Sequence, residues 1–170
     1  MKLSLAAVVL LAIGGIAAAQ HQHGNTPYAG LHQRAVKALG EEQIADLRAG
    51  RGMSLALAAE LNGYPGPLHV LELAAQLHLT DELRSRVRQF SEAMKAEAMA
   101  VGEKLIEHEK ALDQAFAEKR ISPTTLAELT AQIGETQGRL RAVHLKYHVT
   151  TAELLSTDQK ELYARLRGYH

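Results

Sequence analysis

Two apolar stripes with a short break between them constrain this chain more than any other feature. From Leu83 onward the apolar residues recur mostly at spacings of three and four: Leu83, Val87, Phe90, Met94, Ala98, Val101, Leu105, Leu112 and Phe116. That pattern is one face of a long α-helix, with Arg84, Arg88, Glu92, Lys95, Glu103 and Lys110 left for solvent. Arg120-Ile121-Ser122-Pro123 interrupts it. Ser122 suits an N-cap, and Pro123 suits the first helical position, where its missing N–H costs nothing. A second stripe follows at Leu126, Leu129, Ile133, Leu140, Val143, Tyr147 and Leu154. So short a connection forces two long helices antiparallel, stripe against stripe. The expected fold class is all-α, a long antiparallel helical hairpin with short flanking helices.

The flanking segments carry their own punctuation. Ser156 followed three residues later by Gln159 predicts a capping box, with Asp158 adding favourable charge at the helix N-terminus. Leu162, Tyr163 and Leu166 then give this last helix an apolar face, and Gly168 ends it. Upstream, Leu31–Leu39 and Glu41–Leu47 predict short helices, punctuated by Gly40 and by Gly50-Arg51-Gly52. Met53–Leu61 is nearly apolar with Glu60 as its only charge, which predicts a buried helix. Asn62-Gly63 stops it, and Tyr64-Pro65-Gly66-Pro67 makes a rigid turn. Pro67 starts a further helix over Leu68–Leu77, with Val70, Leu71, Leu73, Ala74 and Leu77 facing a core. Residues 31–77 are read either as a layer on the hairpin or as a dimer interface.

The N-terminus reads as an address. Lys2 is a one-charge n-region, Leu3–Ile16 an apolar core, and Ala17-Ala18-Ala19 a cleavage site before Gln20. The run is shorter than the ~20 apolar residues that a membrane span needs. The chain has no Cys, so none follows the expected cleavage site to carry a lipoprotein anchor, and no disulfide framework or thiolate metal site is expected. The expected division is a signal peptide over 1–19, a flexible His-containing leader over 20–30, and one all-α domain over 31–170. The expected location is a bacterial periplasm. Taking the signal peptide's 19 residues from 170 leaves 151. The signal peptide holds one of the 19 basic side chains and none of the 19 acidic ones, so the mature charge is −1 with His neutral. That balance gives no electrostatic case for nucleic acid or an anionic membrane.

Nine histidines are the chemistry-bearing residues that stand out. His144 and His148 are four apart, hence neighbours on one helix face, where two imidazoles can share one metal ion. The spacing alone is weak, since nine His in this length supply about half such a pair by composition. Hairpin register adds to it. A turn centred near Ile121 makes facing residue numbers sum to about 242, so His148 faces Met94, and His144 faces Ala98 with Glu97 alongside. Two His, one Met and one carboxylate suit Cu, Ni or Zn. The competing reading leaves the seam to Val143 and Tyr147, with both His half exposed at its edge and Met94 as core filler. His108, with Gly134 leaving room for its ring, is read as a hydrogen-bonded core residue. His69 with Glu72 extends a metal site if its helix packs near Met94. His21 and His23 offer Cu or Ni ligands or simply belong to a flexible leader. No nucleophile elbow, phosphate loop or H-E-x-x-H is present, so no enzyme is expected.

Leu79-Thr80-Asp81-Glu82-Leu83 and Leu155-Ser156-Thr157-Asp158-Gln159 echo each other ahead of two helices. Together with the signal peptide and hairpin, they resemble the L-T-x-x-Q pattern of the CpxP/Spy periplasmic stress proteins, and the related CnrX-like heavy-metal-resistance sensors look similar. The resemblance covers roughly Leu71 to Leu166. The first copy has Leu83 in place of Gln and the second has Ser156 in place of Thr. What the resemblance implies is an all-α hooked hairpin, commonly a homodimer. Such a protein either senses metal for a membrane-bound signalling partner or binds unfolded clients. Two classes of function therefore stand at this point. One is an exported, non-enzymatic metal-binding or metal-sensing stress and resistance protein, holding Cu, Ni or Zn and no organic cofactor. The other is an ATP-independent periplasmic chaperone.

Overall fold

The computed structural model describes residues 27–169; the expected signal peptide, His21, His23 and His170 lie outside them. Among the described residues there are six α-helices and no strand. After a 3-10 turn at Leu31–Gln33 come α1 (Glu41–Ala49), α2 (Leu57–Glu60), α3 (Pro67–Glu72), α4 (Asp81–Ala117), α5 (Pro123–Leu154) and α6 (Thr157–Arg167). The long helices α4 and α5 pack against each other, α1 and α3 pack on α4, and α2 touches α5. None of the described helices is long and apolar enough to cross a membrane.

The hairpin is bounded by local chemistry. Thr80 Oγ1 accepts the Leu83 N–H at 3.2 Å to open α4. The helix ends in a Schellman turn: Lys119 sits at φ 55°, its N–H donates to Phe116 O, and Arg120 N–H donates to Ala115 O. Ser122 Oγ accepts the Thr125 N–H at 3.1 Å, and Pro123 takes the first position of α5. Glu97 meets Lys146 and Tyr147, and His108 meets Thr136, so the register lies within two residues of the expected sum.

Ser156 and Gln159 form the expected capping box at α6, with both bonds near 3.0 Å. Gln159 also donates through Nε2 to Leu77 O at 3.0 Å, which ties α6 to the segment ahead of α4. Ser156→Ala should therefore lower stability by ~1 kcal/mol, about 2–4 °C in a chain of this size. Thr80→Ala should cost less, because Leu83 returns no second bond. Circular dichroism melts make the comparison, and an equal or larger loss for Thr80→Ala would contradict it.

The apolar core is split in two along the hairpin. One cluster joins Val36, Leu47, Ala98, Leu105, Ile106, Ile133 and Leu140; the other joins Val70, Ala74, Leu77, Leu79, Val87, Leu155 and Tyr163. Between them α5 buries His144, His148 and Thr151, polar groups that gain nothing from leaving water unless something binds them.

Four expectations change. The Leu31–Leu39 stretch is helical only as the 3-10 turn at Leu31–Gln33, after which Arg34 is extended. The 53–61 segment is helical only over Leu57–Glu60, and its sides are inverted: Leu57 and Leu61 are 51% and 55% exposed while Glu60 is 7% exposed. A buried constellation of hydrogen-bond donors draws the carboxylate in, and a one-turn helix cannot turn two leucines inward as well. Helix α3 ends at Glu72 instead of reaching Leu77, and the chain reverses through His78 at φ 50°. Phe116 and Leu126, at the tip of the hairpin, are exposed, since the layer formed by α1 and α3 does not cover that end.

Candidate functional site

A cleft of about 640 Å³ lies over the polar stretch of the hairpin. Its walls come from residues 49–57, the turn at Gly66–His69, α4 at Ser91, Met94 and Lys95, α5 at His144 and His148, and the C-terminal residues Arg167 and Tyr169. Both α5 histidines are buried, His144 to 2% and His148 to 8% exposure, so neither sits half exposed at a seam edge. The segment leading into α3 covers them.

His148 is held from one side. Its Nδ1 lies 2.8 Å from Tyr64 O and 3.5 Å from Glu60 Oε2. A carbonyl only accepts, so Nδ1 carries a proton, and the neutral form of this ring has its lone pair on Nε2. A carbonyl and a carboxylate behind a ring are the outer support that ligating histidines use. Gly66 fits here because it has no side chain: an added Cβ would lie 2.8 Å from both Cε1 and Nε2 of His148.

Glu60 is the hub behind that support. Its Oε2 accepts the Gly66 N–H at 3.1 Å, and its Oε1 accepts the hydroxyls of Tyr163 and Tyr169. Arg167 Nε stands 3.8 Å from Oε1 and donates to the Tyr169 hydroxyl at 3.2 Å. Burial, then the bond to Glu60, pushes the Tyr163 hydroxyl above its ordinary range. It therefore stays a neutral donor at any pH the fold meets.

His144 differs from its neighbour. Its Nε2 is buried with no hydrogen-bond partner among the described residues, and so is Thr151 Oγ1 on the same face of α5. Burial, then like-charge repulsion from His148 whenever that ring is protonated, lowers the His144 pKa and favours its neutral form. The backbone at Gly52 runs beside this ring, since a Cβ there would meet Nδ1 and Cε1 at 3.8 and 3.9 Å. The next two residues, Met53 and Ser54, have φ of 41° and 63°. Such non-glycine conformations cost about 1–3 kcal/mol each and concentrate at ligand sites.

Of the residues expected from sequence, His144, His148 and Met94 come together on this cleft, joined by His69. His69 Nδ1 is paired with Glu72 Oε2 at 2.9 Å. Glu97 does not join them. Lys146 reaches it at 2.9 and 3.0 Å and Tyr147 at 2.5 Å, and it lines a separate shallow hollow with Val101 and Val143. The bond from Tyr147, then that from Lys146, lowers the Glu97 pKa. The register puts Glu97 at the right level, but the two α5 residues just ahead of His148 intercept it. His108 is hydrogen-bonded as expected, though to Thr136. The Thr136 hydroxyl proton goes to Gln132 O at 2.8 Å, so His108 Nδ1–H donates to Thr136 Oγ1 at 3.0 Å. Gly134 makes no room for it: a Cβ there meets nothing within 4 Å.

Among the described residues no three His, Asp or Glu side chains form a metal-holding group. Sequence reasoning passed over Met53, Glu60 and Gly66. The signals present were a single charge inside an apolar run and a glycine between two prolines.

No family model, no curated protein and no solved structure matches this chain. Its functional reading rests on the cleft.

Proposed function

We propose that this is an exported, non-enzymatic metal-binding protein of the hooked helical-hairpin type that resembles CpxP/Spy and CnrX-like proteins. It takes a transition-metal ion, Cu, Ni or Zn, at His144 and His148, with Met94 beside them. The observation that carries this reading is the pair itself. One imidazole is fixed through its Nδ1, and one turn away a second is buried with its Nε2 unpaired. An unsatisfied buried polar atom costs ~1–3 kcal/mol, and an ion on that face would recover the loss. The donors come from α4 and α5, so an ion bound by both would favour one arrangement of the hairpin, and that arrangement can be reported to a partner.

Calorimetric titration of the mature protein with Cu, Ni and Zn salts tests this. Wild type should bind one ion per chain, and His144→Ala/His148→Ala should weaken binding by a hundredfold or more. Metal at about 100 times its dissociation constant should add roughly 2.7 kcal/mol of stability, or about 5–10 °C. Equal affinity in the double variant would overturn the assignment.

A second reading, an ATP-independent chaperone, is favoured by one observation: Leu57, Leu61, Tyr64 and Leu68 are all exposed on a single short segment. It predicts that the metal-free protein suppresses aggregation of an unfolding test enzyme at equimolar ratio. No suppression would count against it.

A further inference from the structure

We infer that the cleft selects a soft monovalent ion, Cu(I) or its analogue Ag(I), through the thioethers of Met53 and Met94. The inference rests on the metal-binding reading and names the ion class that the donor set takes. Met53 and Met94 both line the cleft with His144 and His148, although they come from separate parts of the chain. Met94 is on the inner stripe of α4, and Met53 arrives on a loop. That loop is pressed close to both long helices. A Cβ at Gly50 would lie 2.7 Å from Lys95 O, the residue after Met94, and Gly52 runs beside the His144 ring. Met53 and Ser54 then hold two consecutive left-handed conformations. Strained non-glycine backbone of this kind concentrates at ligand sites, and Met53, at 37% exposure, is not held there as buried filler.

The hard donors nearby are occupied. The Glu60 carboxylate accepts from Gly66, Tyr163 and Tyr169 and faces His148 and Arg167. Glu72 is bound to His69 Nδ1, and Glu97 lies off the cleft with Lys146 and Tyr147. What remains on the lining is imidazole nitrogen, thioether sulfur and the hydroxyls of Ser54 and Ser91, with no three-member group of His, Asp and Glu among the described residues. Thioethers select Cu(I), whereas Zn and Ni take imidazole with carboxylate or water. Binding is a ligand exchange without electron transfer, with the ion supplied already reduced.

The test uses the mature protein with silver nitrate, with Cu(I) under bicinchoninate competition, and with zinc chloride. Met53→Leu and Met94→Leu conserve volume, so folding should persist. Each should lower Ag(I) and Cu(I) affinity at least tenfold and leave Zn(II) affinity within about twofold, while His144→Ala lowers both. Labelled methionine methyl groups give a readout independent of any variant. The Met53 and Met94 resonances should shift with silver, and Met99, which is on α4 but not on the cleft, should stay. If silver binds in a His144-dependent way while the leucine variants keep full affinity and no methyl shifts, the thioether assignment is wrong and the metal site stands. If neither silver, Cu(I) nor zinc distinguishes wild type from His144→Ala/His148→Ala, the metal site itself falls, and this inference with it.

Discussion

Glu60→Ala is expected to lower the melting midpoint by about 6–20 °C. The carboxylate is buried and accepts from the Gly66 N–H and the hydroxyls of Tyr163 and Tyr169, with the His148 ring at 3.5 Å and Arg167 Nε at 3.8 Å. Removing the acceptor leaves those donors facing an apolar gap. A buried donor left without its acceptor costs ~1–3 kcal/mol, so two or three such losses come to about 3–5 kcal/mol, and each kcal/mol is roughly 2–4 °C here. Glu60→Gln should lose much less. Tyrosine hydroxyls can turn round to accept from the new amide, while its carbonyl keeps the Gly66 N–H. A thermal melt followed by circular dichroism separates the two. Near-wild-type stability of Glu60→Ala would mean that the five-residue cluster contributes little. In the metal-binding reading Glu60→Ala should also weaken metal binding by about 10–100-fold, the usual cost of losing support behind a ligating histidine.

Gly50→Ala is expected to cost about 2–5 kcal/mol through two independent effects. Gly50 sits at φ 65°, where an L-residue pays ~1–2 kcal/mol. Its added Cβ would also stand 2.7 Å from Lys95 O and 3.1 Å from Met99 Cγ. The first of these is helix backbone, which cannot step aside, and overpacking of that kind costs ~1–3 kcal/mol. Relief requires lifting the 50–54 loop off α4, so Met53 should leave the cleft and silver affinity should fall with stability. Gly134→Ala is the control. That glycine is mid-helix in α5 with open space where the methyl would go, so the substitution should stabilise by ~0.5–1 kcal/mol. Denaturant melts of both variants check the sign. A neutral Gly50→Ala would show that the loop is not pinned to α4.

The sequence by itself determined the hairpin, its caps and its register. These are local properties. A 3.6-residue stripe, Ser122 before Pro123, and Ser156 three residues ahead of Gln159 each act through neighbours within a turn or two, whatever the rest of the chain does. Register followed from the turn position because a helix rises by a constant step, and so His144, His148 and Met94 could be brought to one level in advance. Only the tertiary structure decided what closes around them. The 53–61 run reads as apolar and buried, yet Glu60 goes inside and Leu57 and Leu61 go outside, because the deciding partners are Tyr163 and Tyr169, more than a hundred residues away. Glu97 has the right level but is diverted by Lys146 and Tyr147, since side chains one residue apart on a helix point in different directions. Met53 reaches the cleft because Gly50 and Gly52 let a loop lie directly on two helices, a closeness that no periodicity encodes. Long-range pairing sorts polar groups by what is already satisfied, and it sets His144, His148, Met53 and Met94 on one cleft.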